Sequence, residues 1–259
     1  MNRIQERLEE LRKENKKALI TYMTAGDPNI EQTEKLIYAK ERGGADIIEI
    51  GIPFSDPVAD GPVIQAAAQR ALESGTNLAK VFQCIANVRK NTRIPIAFLV
   101  YYNSILGYGV ERFIRQCEEV GVDGLIIPDL PLEEREEILP YIKSFNVCLI
   151  PLVAPTSKDR IKDIVQEGEG FVYCISSMGV TGVRKEFHEN LEAFLKDVRS
   201  VTDIPIAVGF GMSSQEDIKR LLPYVDGVIV GSAIVKKIEE SNGDEKVTEE
   251  FVRSLKAAY

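Results

Sequence analysis

The chain has 259 residues, a length that suits one β/α-barrel domain. Its 32 Lys and Arg residues are outnumbered by 40 Asp and Glu, so the net charge is −8. That charge argues against non-specific nucleic-acid binding, which needs a basic face, and any bound anion must be held by local geometry. No stretch approaches the roughly 20 apolar residues of a membrane span. We therefore expect neither nucleic acid nor membrane as a partner.

The N-terminal segment is charged and lacks the apolar region of a secretory signal. Ile4, Leu8 and Leu11 recur at helical spacing and form one apolar stripe. The pattern predicts an extra helix that closes the bottom of the fold. Without a signal sequence, we expect the protein to be cytoplasmic.

Cysteine and histidine usage argues against a metal centre. Cys84, Cys117, Cys148 and Cys174 lie far apart in apolar stretches, form no CxxC pair, and are predicted to be reduced core thiols. The single histidine, His188, excludes a multi-histidine site and argues against a Ser-His-Asp triad. We predict no metal, and proton transfer must depend mainly on carboxylates, Lys or Tyr.

Short apolar runs alternate with amphipathic helical patterns along the whole chain. Eight runs read as strands, at residues 18–23, 46–50, 96–101, 124–127, 147–153, 171–175, 206–209 and 227–230. Helical patterns cover 30–42, 63–74, 78–89, 110–120, 132–143, 158–167, 191–201, 214–222, 233–240 and 247–258. Runs that are apolar on consecutive residues are typical of parallel strands covered on both faces. The pattern predicts the α/β class and a (β/α)8 TIM barrel with an extra N-terminal helix, as a single domain over residues 1–259; an open doubly wound sheet is the alternative.

Internal similarity favours the closed barrel. Residues 92–97 and 202–207 are near copies, and each leads into a predicted strand. Segments 44–46, 121–123 and 224–226 each place an Asp directly before a strand. Such repeats suit a barrel built by duplication.

Glu49 is a carboxylate near the end of an otherwise apolar strand. Barrel chemistry lies at the carboxyl ends of the strands. Side chains alternate along a strand, so if Ile48 and Ile50 face the helices, Glu49 points into the barrel mouth. Burial would raise the pKa of this carboxyl, which suits a general acid or base. The structural alternative is a Glu held in a barrel salt bridge.

The loop that follows Glu49 contains Asp56 and Asp60 among prolines and glycines. Either carboxylate could take part in catalysis, or could cap the helix that begins near Pro62. Asp27, ahead of Pro28, is expected to cap the helix that follows.

Glycines end the last two strands, at residues 209–213 and at Gly231-Ser232. Glycine lets backbone N–H groups approach an anion, and a helix N-terminus adds a favourable dipole. The loops after strands seven and eight are the usual phosphate site of TIM barrels. The Gly-rich loop 176–184 is expected to cover this site as a lid.

Taken together, these segments resemble the tryptophan synthase alpha subunit family. The motif EIGIPFSDPVADGPVIQ at residues 49–65 carries the resemblance most specifically. TAGDP at 24–28, GVTG at 179–182, GFG at 209–211 and GSAIV at 231–235 follow in the same order. The resemblance covers nearly the whole chain.

The resemblance implies a lyase that splits indole-3-glycerol phosphate into indole and glyceraldehyde 3-phosphate by a retro-aldol step. The family's two catalytic carboxylates fall on Glu49 and Asp60. Glu49 would exchange protons with indole C3 and the side-chain hydroxyl, while Asp60 would accept a hydrogen bond from the indole N–H.

Other positions are implied by the same resemblance. Substrate would contact Tyr22, Ile64, Leu99, Ile126, Tyr173, Thr181 and Ile229, and phosphate would contact Gly182, Gly209, Phe210, Gly211, Gly231 and Ser232. Tyr22 departs from the phenylalanine of some relatives, which affects details of the indole pocket.

A partner is also implied. Pro53, Phe54 and Asp56 would abut a tryptophan synthase beta subunit in a tetramer of two alpha and two beta chains, and indole would pass to that subunit. Pyridoxal phosphate would belong to the beta subunit, so no cofactor is expected in this chain. Two other functions remain open: another phosphosugar barrel enzyme of the same pathway, and a non-catalytic regulatory barrel that binds a phosphate ligand.

Overall fold

A computed structural model describes residues 2–176, 184–209 and 215–259, with all side chains there except those of residues 158, 184–190 and 217. Parallel strands form one sheet in which β1 pairs with both β2 and β9. The strands are β1 Ala18–Thr24, β2 Ile47–Gly51, β3 Ile96–Leu99, β4 Gly124–Ile126, β5 Cys148–Leu149, β6 Leu152–Val153, β7 Val172–Ile175, β8 Ile206–Gly209 and β9 Gly227–Val230.

The two outermost strands in the sheet order, β5 and β6, are halves of a single barrel strand. They are separated only by Ile150 and Pro151, and Pro151 has no N–H with which to continue the ladder. The backbone still bridges the gap: Ile150 N–H donates to Leu125 O at 2.9 Å, and Tyr173 N–H donates to Pro151 O at 2.8 Å. The predicted run 147–153 is thus one strand with a break, and the (β/α)8 fold class is confirmed.

Helices surround the strands. They are α1 Arg3–Lys13, α2 Ile30–Arg42, α3 Pro62–Glu73, α4 Leu78–Val88, α5 Tyr102–Tyr108, α6 Val110–Val120, α7 Leu139–Ile142, α8 Ile161–Val165, α9 Arg184–Val201, α10 Gln215–Leu221, α11 Ser232–Glu240 and α12 Glu245–Lys256. Helix α5 was not predicted from the sequence. Full helices were predicted at 132–143 and 158–167, where 3-10 turns Leu132–Glu137 and Pro155–Arg160 precede the short α7 and α8.

Two apolar cores lie on opposite sides of the sheet. Ile48 and Ile50 belong to the outer core between strands and helices. Ile47 belongs to the core inside the barrel, together with Ile4 and Leu8 from α1. Helix α1 therefore fills the bottom of the barrel, and the alternation predicted for β2 is confirmed.

The three repeated Asp residues hold neighbouring strands together at the bottom of the barrel. Asp46 accepts the N–H of Leu19, Asp123 that of Ile96 and Asp226 that of Ile206, at 2.7–2.9 Å. Each carboxylate also pairs with two cations: Arg7 and Lys256, Arg3 and Arg89, and Lys17 and Arg199, respectively. The repeat is therefore structural, and it leaves the opposite end of the barrel for chemistry.

Among the described residues, no helix is long and apolar enough to cross a membrane. All four cysteines are buried free thiols. Burial raises the pKa of each thiol, which keeps these groups protonated and unreactive.

Candidate active site

Glu49 projects into the barrel, above the apolar core that Ile47 forms with residues of α1. It follows Ile47 on the inner face of β2 and pairs in register with Tyr22 on β1 and Ala97 on β3. Ala97 is small, so the carboxylate has room between its neighbours. The side chain is only 1% exposed.

Among the described residues, the Glu49 carboxylate has no salt bridge of the kind that a structural role would require. Neither of its oxygens has a hydrogen-bond partner among the described residues. Burial and, to a smaller extent, the nearby charge of Asp60 raise the pKa of Glu49, while Lys40 lowers it, and together they bring this pKa to about 8. A carboxyl that is largely protonated at neutral pH can act as a general acid, and its conjugate base can then recover a proton.

Asp60 is held at the cavity by an aromatic residue that the sequence analysis did not identify. Tyr101 Oη donates to Asp60 Oδ2 at 3.0 Å and accepts the N–H of Ala59 at the same distance. Phe54 stacks on the Tyr101 ring, with centroids 5.1 Å apart. Burial raises the pKa of Asp60, and the bond from Tyr101 opposes that rise. Two contacts thus fix the 59–60 segment against the end of β3.

The capping alternatives for the nearby carboxylates are resolved by geometry. Gly61 is the N-cap of α3, without a side-chain cap bond, so neither Asp56 nor Asp60 caps that helix. Asp56 is exposed and accepts a bond from Ser55. The expected cap at Asp27 is wrong, because Asn29 caps α2 and Asp27 forms a two-bond pair with Arg70 at 2.8 Å.

A cavity of about 270 Å³ opens above Glu49 and reaches Asp60. Its wall includes five of the apolar or aromatic residues implied by the family resemblance: Tyr22, Ile64, Leu99, Tyr173 and Ile229. Ile126 lies elsewhere, in the core inside the barrel, and is not among the described residues that line the cavity. Leu152, Ile175, Val63 and Pro128 add apolar wall that the sequence analysis missed.

Two glycines make room for the aromatic rings of this wall. A Cβ at Gly51 would lie 2.0 Å from Tyr22 Oη, so the ring crosses the end of β2 where only glycine fits. A Cβ at Gly209 would lie 2.6 Å from Tyr173 Oη. Gly209, which was predicted to contact phosphate, is the last residue of β8, and its missing side chain accommodates the Tyr173 ring. Burial raises the pKa of both tyrosines well above 10, so both stay neutral.

The far end of the cavity is the start of α11. Gly231, Ser232 and Ala233 line it, and no side chain of the described residues caps this helix. Its first N–H groups therefore lack side-chain acceptors, an arrangement that favours anions. Thr181, Gly182, Phe210 and Gly211, together with loop residues 177–183, lie outside the described residues.

Lys236 was also missed by the sequence analysis. It is the only cation among the described residues that line the cavity, and it lies four residues after Ser232 on α11. Residues four apart share one face of a helix, so the spacing from Ser232 is the sequence feature that could have identified Lys236. The cavity thus combines the buried Glu49 carboxyl, whose pKa is raised, at its floor, the Asp60 carboxyl at its side and the Lys236 ammonium near a helix N-terminus.

These features define a TIM barrel with a candidate active site at the carboxyl ends of its strands, where two carboxyl groups lie beside a largely apolar cavity. A family model described as tryptophan synthase alpha chain matches residues 8–258. The tryptophan synthase alpha chain of Alkaliphilus metalliredigens is 51% identical over 259 residues, covering 100% of this chain and 97% of the relative. That of Caldanaerobacter subterraneus is 52% identical, covering 99% of each chain.

Solved structures agree. Tryptophan synthase subunit alpha from Legionella pneumophila superposes with a TM-score of 0.92 at 33% identity, covering 100% of this chain and 98% of that one. A chain of tryptophan synthase from Mycobacterium tuberculosis, in its aminoacrylate-bound form, gives 0.90 at 31% identity, covering 100% and 99%.

The chain belongs to the tryptophan synthase alpha chain family, so the resemblance read from the sequence is confirmed. Its activity is that of the family: a lyase of tryptophan biosynthesis that cleaves indole-3-glycerol phosphate to indole and glyceraldehyde 3-phosphate. The alpha family carries no cofactor, because pyridoxal phosphate is bound by the beta subunit.

Proposed function

We propose that Glu49 and Asp60 are the catalytic residues of this lyase, with Glu49 as the acid–base group. The observation that supports this most is the position of Glu49: a buried carboxyl without a hydrogen-bond partner among the described residues, on the floor of the cavity that Asp60 also lines. Its pKa of about 8 suits proton donation and recovery near neutral pH.

The chemistry requires both carboxylates. Glu49 donates its proton to indole C3, which turns the ring into a good leaving group. The Glu49 carboxylate then takes the proton of the side-chain hydroxyl, the C–C bond breaks, and its electron pair returns to the ring. The products are indole and an aldehyde, and Glu49 ends with the proton that it began with. Asp60 accepts the hydrogen bond of the ring N–H and stabilises the positive charge that develops on the nitrogen.

The substrate lies between these groups and the start of α11. The indole ring fits against Tyr22, Leu99 and Ile229, which are apolar or held neutral by burial. We propose that the phosphate is held by N–H groups at Gly231 and Ser232. We also assign to this end Gly209 and, outside the described residues, Gly182, Phe210 and Gly211. Thr181 is proposed to close the lid toward Asp60.

A direct assay tests the proposal: indole release from indole-3-glycerol phosphate by the purified chain and by its Glu49→Gln and Asp60→Asn variants, without any cofactor. Indole release by the parent that both variants largely lose supports it. A chain that binds this substrate but forms no indole, alone or with a beta subunit, would contradict it.

Lys236 is proposed to attract the phosphate. The ligand is anionic, two carboxylates already lie at the cavity, and the whole chain carries −8, so the one lining cation among the described residues offsets like charge. We expect Lys236→Met to raise KM about tenfold with little change in kcat, since the contact is made equally before and during reaction.

The matched control is Lys237→Met. Lys237 lies near the Phe251 ring and bonds Glu240, and it does not line the cavity. Its replacement should leave KM unchanged, and the dependence of KM on salt should weaken only in the Lys236 variant. Equal KM values for both variants would remove Lys236 from phosphate binding.

We further propose that the 53–58 segment docks a beta subunit. Phe54, Asp56, Val58 and Leu72 line one open groove, and Val58 is 83% exposed. An exposed apolar patch of this kind marks a protein interface. Pro53 is buried behind it. The complex is proposed to contain two alpha and two beta chains and to act in the cytoplasm.

The docking proposal predicts that Val58→Asp weakens the complex at least tenfold while the isolated chain keeps its lyase turnover. Sedimentation with a beta subunit measures both the affinity and the stoichiometry. Val247→Asp, on α12 and 38% exposed, is the control that should not affect binding. Unchanged affinity for Val58→Asp would move the interface elsewhere.

A further inference from the structure

Lys40 is a fully buried lysine whose role the reaction described above leaves unassigned. It lies in the last turn of α2, where basic residues ordinarily reach solvent, yet its side chain is 0% exposed. Burying an ammonium costs free energy unless it gains a partner. The described residues offer it no ion pair within 4 Å, so the cost must be offset by other contacts.

Within the part of the chain that the structure describes, the Lys40 ammonium has one hydrogen bond, and its acceptor belongs to a residue that lines the active-site cavity. Lys40 Nζ donates to the backbone carbonyl of Tyr22 at 2.8 Å. Tyr22 lies one residue beyond the last β1–β9 pair, Thr21 with Val230, so its carbonyl lies past the end of that ladder. Lys40 therefore anchors the β1 residue that forms the cavity wall.

Tyr22 is also the register partner of Glu49 on the neighbouring strand. Lys40 and Glu49 thus approach the same β1 residue, one from the helix layer and the other from inside the barrel. Glu49 is the one charged group among the described residues whose field acts appreciably on Lys40. The charges that act on Glu49 are those of Asp60 and Lys40, and Tyr22 and Tyr173 stay neutral.

These two buried groups depend on each other. Burial opposes the charged form of each, lowering the pKa of Lys40 and raising that of Glu49, while each charge favours the other. When Glu49 gives up its proton, its new negative charge is repelled by Asp60 and attracted by Lys40. The field of Lys40 therefore acts most strongly at the stage in which the reaction needs the Glu49 carboxylate.

We propose that Lys40 is a positioning residue for the lyase reaction: it anchors the Tyr22 carbonyl and stabilises the carboxylate that Glu49 becomes when it donates its proton. The proposal rests on the acid–base role of Glu49. It assigns Lys40 no contact with substrate.

The test uses Lys40→Met, which keeps the length and removes the charge, and Lys40→Gln, which keeps a donor but not the charge. Lys35→Met, on an exposed position of the same helix, is the control. We expect both Lys40 variants to lower kcat about tenfold or more. We also expect the Glu49 limb of the pH–rate profile to move to higher pH by at least about half a unit, since removing a nearby positive charge raises a carboxyl pKa. Lys35→Met should match the parent.

A merely structural Lys40 would lower thermal stability without moving that limb. The same shift should appear when the δ-carbon of Glu49 is titrated by carbon-13 NMR, a readout independent of activity. If Lys40→Met does not fold, Lys40→Gln is measured in the same two ways. The inference would be overturned if a folded Lys40 variant showed the same Glu49 limb in its pH–rate profile and the same Glu49 titration midpoint as the parent. A fully active Glu49→Gln enzyme would instead overturn the proposed acid–base role.

Discussion

Glu49→Gln should lower kcat for indole release by about 10³-fold or more, because general acid–base help is typically worth about 10²–10⁴-fold and Glu49 serves two proton transfers. Glutamine has almost the same shape and carries no transferable proton of suitable acidity. Since Glu49 has no hydrogen-bond partner among the described residues, the substitution breaks no described contact. Steady-state indole release measures the loss.

The control for this prediction is ligand affinity. Binding of an unreactive indole–alkyl phosphate should stay within about threefold of the parent, because the phosphate end and the apolar wall are unchanged. A variant that retains kcat within tenfold of the parent would remove Glu49 from proton transfer. A variant that loses analogue binding as well would indicate a damaged cavity.

Asp60→Asn should lower kcat by about 10²-fold or more. Asparagine keeps the size of the side chain and an oxygen that can accept from Tyr101, but it cannot offset the positive charge that develops on the indole nitrogen. Interactions made mainly in the transition state lower kcat and kcat/KM together, so both constants should fall in parallel.

Asp56→Asn is the matched control, since Asp56 is an exposed carboxylate in the same loop. It should retain parental turnover in the isolated chain. Equal losses from the two substitutions would mean that the loop is merely disturbed. An Asp60→Asn enzyme with the parental kcat would show that the positive charge on the ring nitrogen is stabilised by another group.

The sequence predicts much of this fold because successive side chains of a strand point strictly to opposite faces of the sheet. Eight apolar runs in a β/α series specify the barrel, and Ile48 and Ile50 on one face of β2 place Glu49 on the other. Breaks within elements are harder to predict. Pro151 divides a run that reads as one strand, and the hydrophobic pattern at residues 132–143 is the same for an α-helix as for 3-10 turns followed by a short helix.

Site residues were predictable where a strand end or a family motif marks them. Lys40 was not, because a basic residue in the last turn of a helix ordinarily interacts with solvent and the helix dipole. Only the packing of α2 against the strands shows that it is buried. Tyr101 reads as the last residue of a strand, and its bond to Asp60 spans 41 positions. Such contacts are set by tertiary structure.

The glycines at the phosphate end of the cavity also have roles that only the tertiary structure reveals. Glycines at strand ends predict close backbone approach, which can serve a ligand or a neighbouring side chain. Gly231 lies at the cavity, as the anion hypothesis expects, whereas Gly209 makes room for Tyr173. The sequence signal is identical for both, so only the position of the ring distinguishes them.

The proton on Glu49 is the basis of the mechanism, and a carboxyl titration measures it. In protein labelled with carbon-13 at glutamate, the δ-carbon signal that Glu49→Gln removes would be followed from pH 3 to pH 10. We predict a midpoint near pH 8 in the free chain, because burial and the charge of Asp60 raise the pKa of this group. A midpoint near the ordinary glutamate value of about 4.3 would contradict the mechanism, since Glu49 would then have no proton to donate at neutral pH.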